Sequence, residues 1–377
     1  MTTSDRAWDD PKWLVKTDDT WTAGCRWLQA RWRAAQGWPA GPRKPGDERL
    51  VVSMLNEGCD EFATFFDRTI FGVVEEHLDA IGYGAANALD QLLRNLLSTR
   101  ALVFNLFGSF VGRRHALLPW VRTIDATATS VEDLRLDWAP KKSAQTPPGV
   151  TFDVAVVYRA GDSTRLLGVT CKYAEDSDQK TRPAHTELTV ASGHWRDDAA
   201  RRLDAAVTRH AWLATLLAQA AVESDAEFAD VRVVAVTCAT DLDATTAIGA
   251  VRAELLEPDR WLTWCALEQI VDVLEATAPE GWGAWFDARY LDFSPVAHLL
   301  DPRDPRLTGA QSTGVDAFAR LLAAGQGVLG DAGVVKQLVS GTRVLRNAID
   351  GAGLSQRAAS LADDLDALRQ AISDASS

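Results

Sequence analysis

Residues 151–175 read TFDVAVVYRAGDSTRLLGVTCKYAE. Two strand-like runs, TFDVAVVY and RLLGVTCKY, flank the turn-forming stretch AGDST, and that pattern predicts a β-hairpin. Asp153 lies in the first run and Lys172 in the second, with Thr170 two places before the lysine. Residues two apart on a strand share a face, so Thr170 and Lys172 point the same way. They point towards whatever Asp153 faces if the register of the hairpin allows.

Such a hairpin is one way to build a phosphodiesterase. Carboxylates on adjacent strands hold Mg²⁺, a hard cation that prefers oxygen ligands. The ion lowers the pKa of a bound water and screens the phosphate. A lysine beside it orients the water or stabilises developing charge. The chemistry asks for an acid two places before the lysine, and Thr170 stands there.

Around the hairpin the hydrophobic period is close to two between 131 and 173, where EDLRLDWAP, TFDVAVVY and RLLGVTCKY are three expected strands. Residues 197–222 predict one amphipathic helix. VRVVAVTCAT reads as a buried strand, followed by helices near 245–255 and 265–275. Residues 50–107 read as mostly helical, with a break at GYGA. This order describes an α/β sandwich around a mixed sheet.

The flanks differ. Six of the 14 tryptophans, Trp8, Trp13, Trp21, Trp27, Trp32 and Trp38, fall in the first 40 residues. DTWTAGCRWLQARWRAAQGWP predicts a helix capped by Asp19 and ended by Gly37 and Pro39. It either packs on the main domain or offers a tryptophan-rich surface for a protein partner or self-association. GPRKPGDER, residues 41–49, reads as a linker. Beyond about 300 tryptophan is absent, and three alanine-rich helices are expected there, as a bundle or a clasp. The domains expected are thus 1–45, a helical arm; 46–300, an α/β core; and 301–377, a helical region. Gly325, Gly327 and Gly330 match GxGxxG, but the residues before them are helical in pattern, so they read as an interhelical turn rather than a dinucleotide loop.

Composition bounds the class. The chain of 377 residues is 47% hydrophobic and 24% charged, normal for a folded protein. No apolar run is long enough to span a membrane, and the polar start lacks the apolar core of a signal peptide, so a cytoplasmic location is expected. The five scattered cysteines form no CxxC and read as free thiols. A net charge of −13 confines any phosphate contact to local cations, such as the pairs Arg113–Arg114, Lys141–Lys142 and Arg201–Arg202.

Several blocks in order now carry a resemblance. They are LLSTRALVFNLFGSF (96–110), Asp137-Trp138-Ala139-Pro140, Thr151-Phe152-Asp153-Val154-Ala155, Thr170-Cys171-Lys172-Tyr173-Ala174-Glu175, Arg209-His210-Ala211-Trp212-Leu213 and RYLDFSPV at 289–296. This series resembles a bacterial branch of the PD-(D/E)XK nuclease superfamily, the restriction-endonuclease-like fold. The resemblance implies a mixed sheet flanked by helices, phosphodiester hydrolysis, DNA as partner and Mg²⁺ or Mn²⁺ as cofactor. By position it implies Asp153, Lys172, Asp137, Thr170 and Glu175 as the site, with Asp137 and Asp153 as metal ligands. The sequence departs from the family at four places: Thr170 replaces a glutamate, Arg100 a glutamine, Asp137 the glutamate before the tryptophan, and the glutamine before Arg209-His210 is missing. Glu175 would supply the lost charge only if the strand ends or bulges after Tyr173. Two readings stay open: an active nuclease with an altered carboxylate set, or a silent nuclease fold that binds nucleic acid or protein.

Overall fold

The computed structural model describes residues 18, 20–42, 50–60, 62–80, 92–144, 146–174, 183–203, 208–224 and 227–293. The expected Asp19 cap, the GYGA break, Glu175, Trp8, Trp13 and the C-terminal helices with their glycine motif lie outside these residues.

The hairpin is present. β4 (Phe152–Ala160) and β5 (Ser163–Cys171) pair antiparallel from Ala160↔Ser163 to Val154↔Val169. Gly161 and Asp162 make the two-residue turn, and Gly161 takes a φ of 59°, which this kind of tight hairpin loop requires. β3 (Ala128–Trp138) adds to β4 antiparallel. β6 (Asp230–Thr237) adds to β5 in parallel, and β7 (Leu262–Ala266) to β6. The sheet order is β3-β4-β5-β6-β7. A second, two-stranded sheet pairs β1 (Ala40–Pro42) with β2 (Leu50–Leu55).

The sheet separates two cores. One holds α1 (Thr20–Ala35), α3 (Thr99–Phe107), α4 (Leu118–Ile124) and α10 (Leu267–Leu274) against Val154, Val156, Leu167 and Val169. The other packs α7 (Arg209–Ser224) and α8 (Leu242–Glu254) on Ala155, Val157, Leu166 and Val233. Strand alternation assigns these residues to opposite faces. The remaining helices are α2 (Arg68–Ala80), α5 (Pro183–Ser192), α6 (Ala199–Arg202), α9 (Pro258–Trp261) and α11 (Trp282–Phe286), which a π turn extends over Asp287–Leu291.

Three expectations are corrected. Leu50–Leu55 is a strand, not part of a helical stretch: its backbone pairs with Ala40–Pro42, and tertiary pairing overrides the local pattern. The helix expected over 197–222 is two, because α6 ends at Arg202 and α7 begins at Arg209. Ala211 to Ala221 are all buried in α7, so that helix is enclosed rather than amphipathic. β7 is an extra strand, five residues too short to carry a periodic signal.

On α1, Trp27 and Trp32 are buried and Trp21 packs between Tyr173 and Phe293. Trp21 Nε1 donates to the carbonyl of Tyr173 at 2.6 Å, and Gln29 Nε2 reaches the Tyr173 hydroxyl. Tyr173 in turn meets Tyr290 edge to face. Asn105 of the FNLFG block donates to the Tyr290 hydroxyl and to Thr64, and accepts from the Phe66 N–H. Arg289 is fully buried over the rings of Trp32, Trp285 and Tyr290. The aromatic and amide residues of the outer blocks therefore build a scaffold that fixes the end of β5.

Candidate active site

At the end of the ladder the sheet reverses its faces. Leu136 and Val154 pair across β3 and β4 and face the first core. Trp138 and Phe152 pair two residues further on, yet both pack in the second core, stacked with planes 8° apart. Asp137 lies between, with a φ of 45°. Aspartate tolerates this left-handed conformation better than most residues, at a cost of about 1–2 kcal/mol. The turn swings Trp138 to the other side, and Gly168 leaves room beneath the Phe152 ring, where a Cβ would lie 2.5 Å from its atoms.

The reversal opens a cleft of about 390 Å³ lined by Thr99, Arg100, Asp137, Thr151, Asp153, Cys171 and His210. Asp153 follows the last β4–β5 pair, and its Oδ2 accepts the N–H of Cys171 at 2.7 Å. Asp137 is met from two helices. Arg100, in the first turn of α3, donates to its Oδ2, and His77 Nε2 of α2 lies 2.8 Å from the same atom. Ring contact with Phe104 sets the His77 imidazole. All three side chains are largely enclosed, Asp137 and Arg100 about a quarter exposed and His77 less. Burial pushes the Asp137 carboxyl up, but His77 and Arg100 outweigh it and hold the group below its ordinary value.

Thr170 and Lys172 do share a side, in a small apolar slot beside the cleft that Ala235, Val236, Ala244 and Ile248 also line. Thr170 is buried, and its hydroxyl lies 2.5 Å from His210 Nε2. His210 lines both spaces and forms the wall between them. Loss of water around the ring, then the positive charges of Lys172 and Arg209, push the His210 imidazole pKa down from its ordinary value. The residue is exposed on its cleft side. Lys172 makes no ion pair with a carboxylate among the described residues. Its backbone N–H bonds to Val236.

Asp137, Asp153 and His210 thus meet in one cleft, and Thr170 and Lys172 in its neighbour. His77 gave no sequence signal, being a lone histidine in an acidic stretch of α2. Arg100 stood out only as a lost glutamine; its ion pair crosses 37 residues.

A divalent ion is what the resemblance implies, and the donors do not fit one. The central acid is a threonine turned to His210. Asp137 is engaged by a guanidinium and an imidazole, and Asp153 by a backbone N–H. Among the described residues no three His, Cys, Asp or Glu side chains cluster as a metal donor set.

The same residues lie within a recognised sequence family. The sequence model of the PD-(D/E)XK nuclease superfamily matches residues 16–292, from the start of the described arm to the end of the π turn. No curated protein and no solved structure matches the chain. The match covers well over half of the sequence, and the mixed sheet with its helices on both faces agrees with it. The chain belongs to the PD-(D/E)XK nuclease superfamily.

Proposed function

We propose that this nuclease-fold protein binds nucleic acid at the cleft beyond the β4–β5 ladder and does not hydrolyse it through a metal ion. The observation that carries the reading is the pairing of Asp137 with Arg100 and His77. A carboxylate already engaged by a guanidinium and an imidazole is a poor ligand for Mg²⁺, and Thr170 offers no charge to replace it. Superfamily membership supports nucleic acid as the ligand class. With a net charge of −13, contacts to phosphate rest on the few local cations, Lys172 and Arg209 near the cleft among them, so binding is modest and falls with salt.

Fluorescence anisotropy with labelled single- and double-stranded DNA tests this reading, using the full chain in a salt series with EDTA and with Mg²⁺ or Mn²⁺. Binding that weakens with salt and ignores EDTA, with intact DNA recovered from every metal condition, is expected. Failure to bind either form overturns the reading. So does metal-dependent cleavage that Asp153→Asn abolishes.

A further inference from the structure

We infer that the cleft receives one unpaired nucleobase through the carboxylates of Asp137 and Asp153, that the phosphate beside it lies across His210 at Lys172, and that the nucleic acid bound is single-stranded. The inference rests on the proposed function and deepens it by naming the substrate class of the same site.

The spaces on either side of His210 offer opposite chemistry. The cleft offers acceptors. Both partners of Asp137 converge on Oδ2, and its Oδ1 has no hydrogen-bond partner among the described residues. Asp153 receives the Cys171 N–H on Oδ2, and a carboxylate can accept several hydrogen bonds. Two carboxylates repel a phosphate and attract N–H donors. Among the described residues that line the cleft, Arg100 is the one arginine or lysine, and it is already paired with Asp137.

The slot offers the reverse. Lys172 lines it and forms no ion pair with a carboxylate among the described residues. The slot, about 20 Å³, is too small for a phosphate, which would lie outside it against the half-buried lysine. The Thr170 hydroxyl and the Cys171 backbone both hold the His210 ring between the two spaces. The separation is thus built into the end of β5. A phosphate finds its counter-charge at Lys172, and the part of the nucleotide that enters the cleft is the part that donates.

Nucleobases divide on that criterion. Adenine, cytosine and guanine carry an exocyclic amino group, whereas thymine and uracil carry carbonyl oxygens, which two carboxylates repel. In a duplex that edge is taken by the partner base. Unpaired bases leave it open, and they stack on rings such as imidazole. A cleft of about 390 Å³ has the size that encloses one small ligand, and two paired strands exceed it.

Fluorescence anisotropy with the full chain in EDTA tests this, comparing oligodeoxycytidine with oligodeoxyuridine of equal length. The two differ by an amino group exchanged for a carbonyl oxygen at the base edge. The cytidine strand should bind about tenfold tighter, and annealing it to its complement should remove that advantage. Asp153→Asn and Asp137→Asn should narrow the ratio, whereas Lys172→Met should weaken both strands alike and preserve it. The wild-type ratio is read without any variant, so a misfolded one does not stop the test. Equal affinity for the two single strands overturns the inference and leaves the proposed function standing. So does tighter binding of the duplex, a ratio that survives in both folded asparagine variants, or a ratio that Lys172→Met abolishes. No binding of any strand removes the proposed function, and the inference falls with it.

Discussion

The carboxylate of Asp153 accepts the backbone N–H of Cys171 at 2.7 Å, closing the hairpin with a side chain where the strand ladder stops. The contact crosses 18 residues of sequence and makes Asp153 a structural member of the cleft as well as a candidate ligand. Asp153→Asn keeps an accepting oxygen and loses only the charge. It should cost about 1 kcal/mol, whereas Asp153→Ala leaves the N–H unsatisfied and should cost about 2 kcal/mol or more. Urea unfolding of both variants checks the order, and equal losses would contradict this role.

Thr170 offers a second test. Thr170→Val keeps the shape and removes the hydroxyl that meets His210. His210 has solvent access, so water replaces part of the lost bond. A destabilisation of about 1 kcal/mol is expected, together with a His210 titration moved in NMR. An unmoved His210 resonance would show that the two groups do not interact.

Lys172 lines an apolar slot and forms no ion pair among the described residues. Lys172→Met fills the same slot without a charge, and stability should stay within about 1 kcal/mol of wild type. DNA affinity should fall uniformly across sequences, with the salt slope reduced by about one. A loss of several kcal/mol would instead reveal a buried partner for the ammonium.

Acid stability should report Asp125, at the far end of the sheet. Burial raises its carboxyl, but bonds from the Thr127 hydroxyl and N–H, Tyr158 and Arg165 outweigh this and bring its pKa to about 2. The folded value lies below the unfolded one, so its stabilisation is complete above about pH 4 and is lost as pH falls towards 2. The loss is at most about 2 kcal/mol. Asp125→Asn should flatten that limb of a pH–stability curve measured by urea unfolding; an unchanged limb would assign the effect elsewhere.

Much of this protein is determined by its sequence. Alternating apolar residues around Gly161–Asp162 set the hairpin, because a period of two and a tight turn are local properties. The β-branched run at 231–236 set β6, and Gly37, at φ 74°, ended α1. The ordered blocks resembled the superfamily that the family model shows, and they singled out Asp137, Asp153, Thr170 and Lys172, which the fold gathers in a cleft and its adjoining slot. Tertiary structure decided the rest. The pairing of β2 with β1 depends on a partner beyond a ten-residue window. The division of Asp153 from Lys172 into adjoining spaces depends on where His210 of α7 stands. The Arg100–Asp137–His77 cluster joins α3, β3 and α2, and no local pattern records which side chain a distant helix will bring to a carboxylate. Arg100, which reads in the sequence only as a lost glutamine, is brought by helix packing to the Asp137 carboxylate.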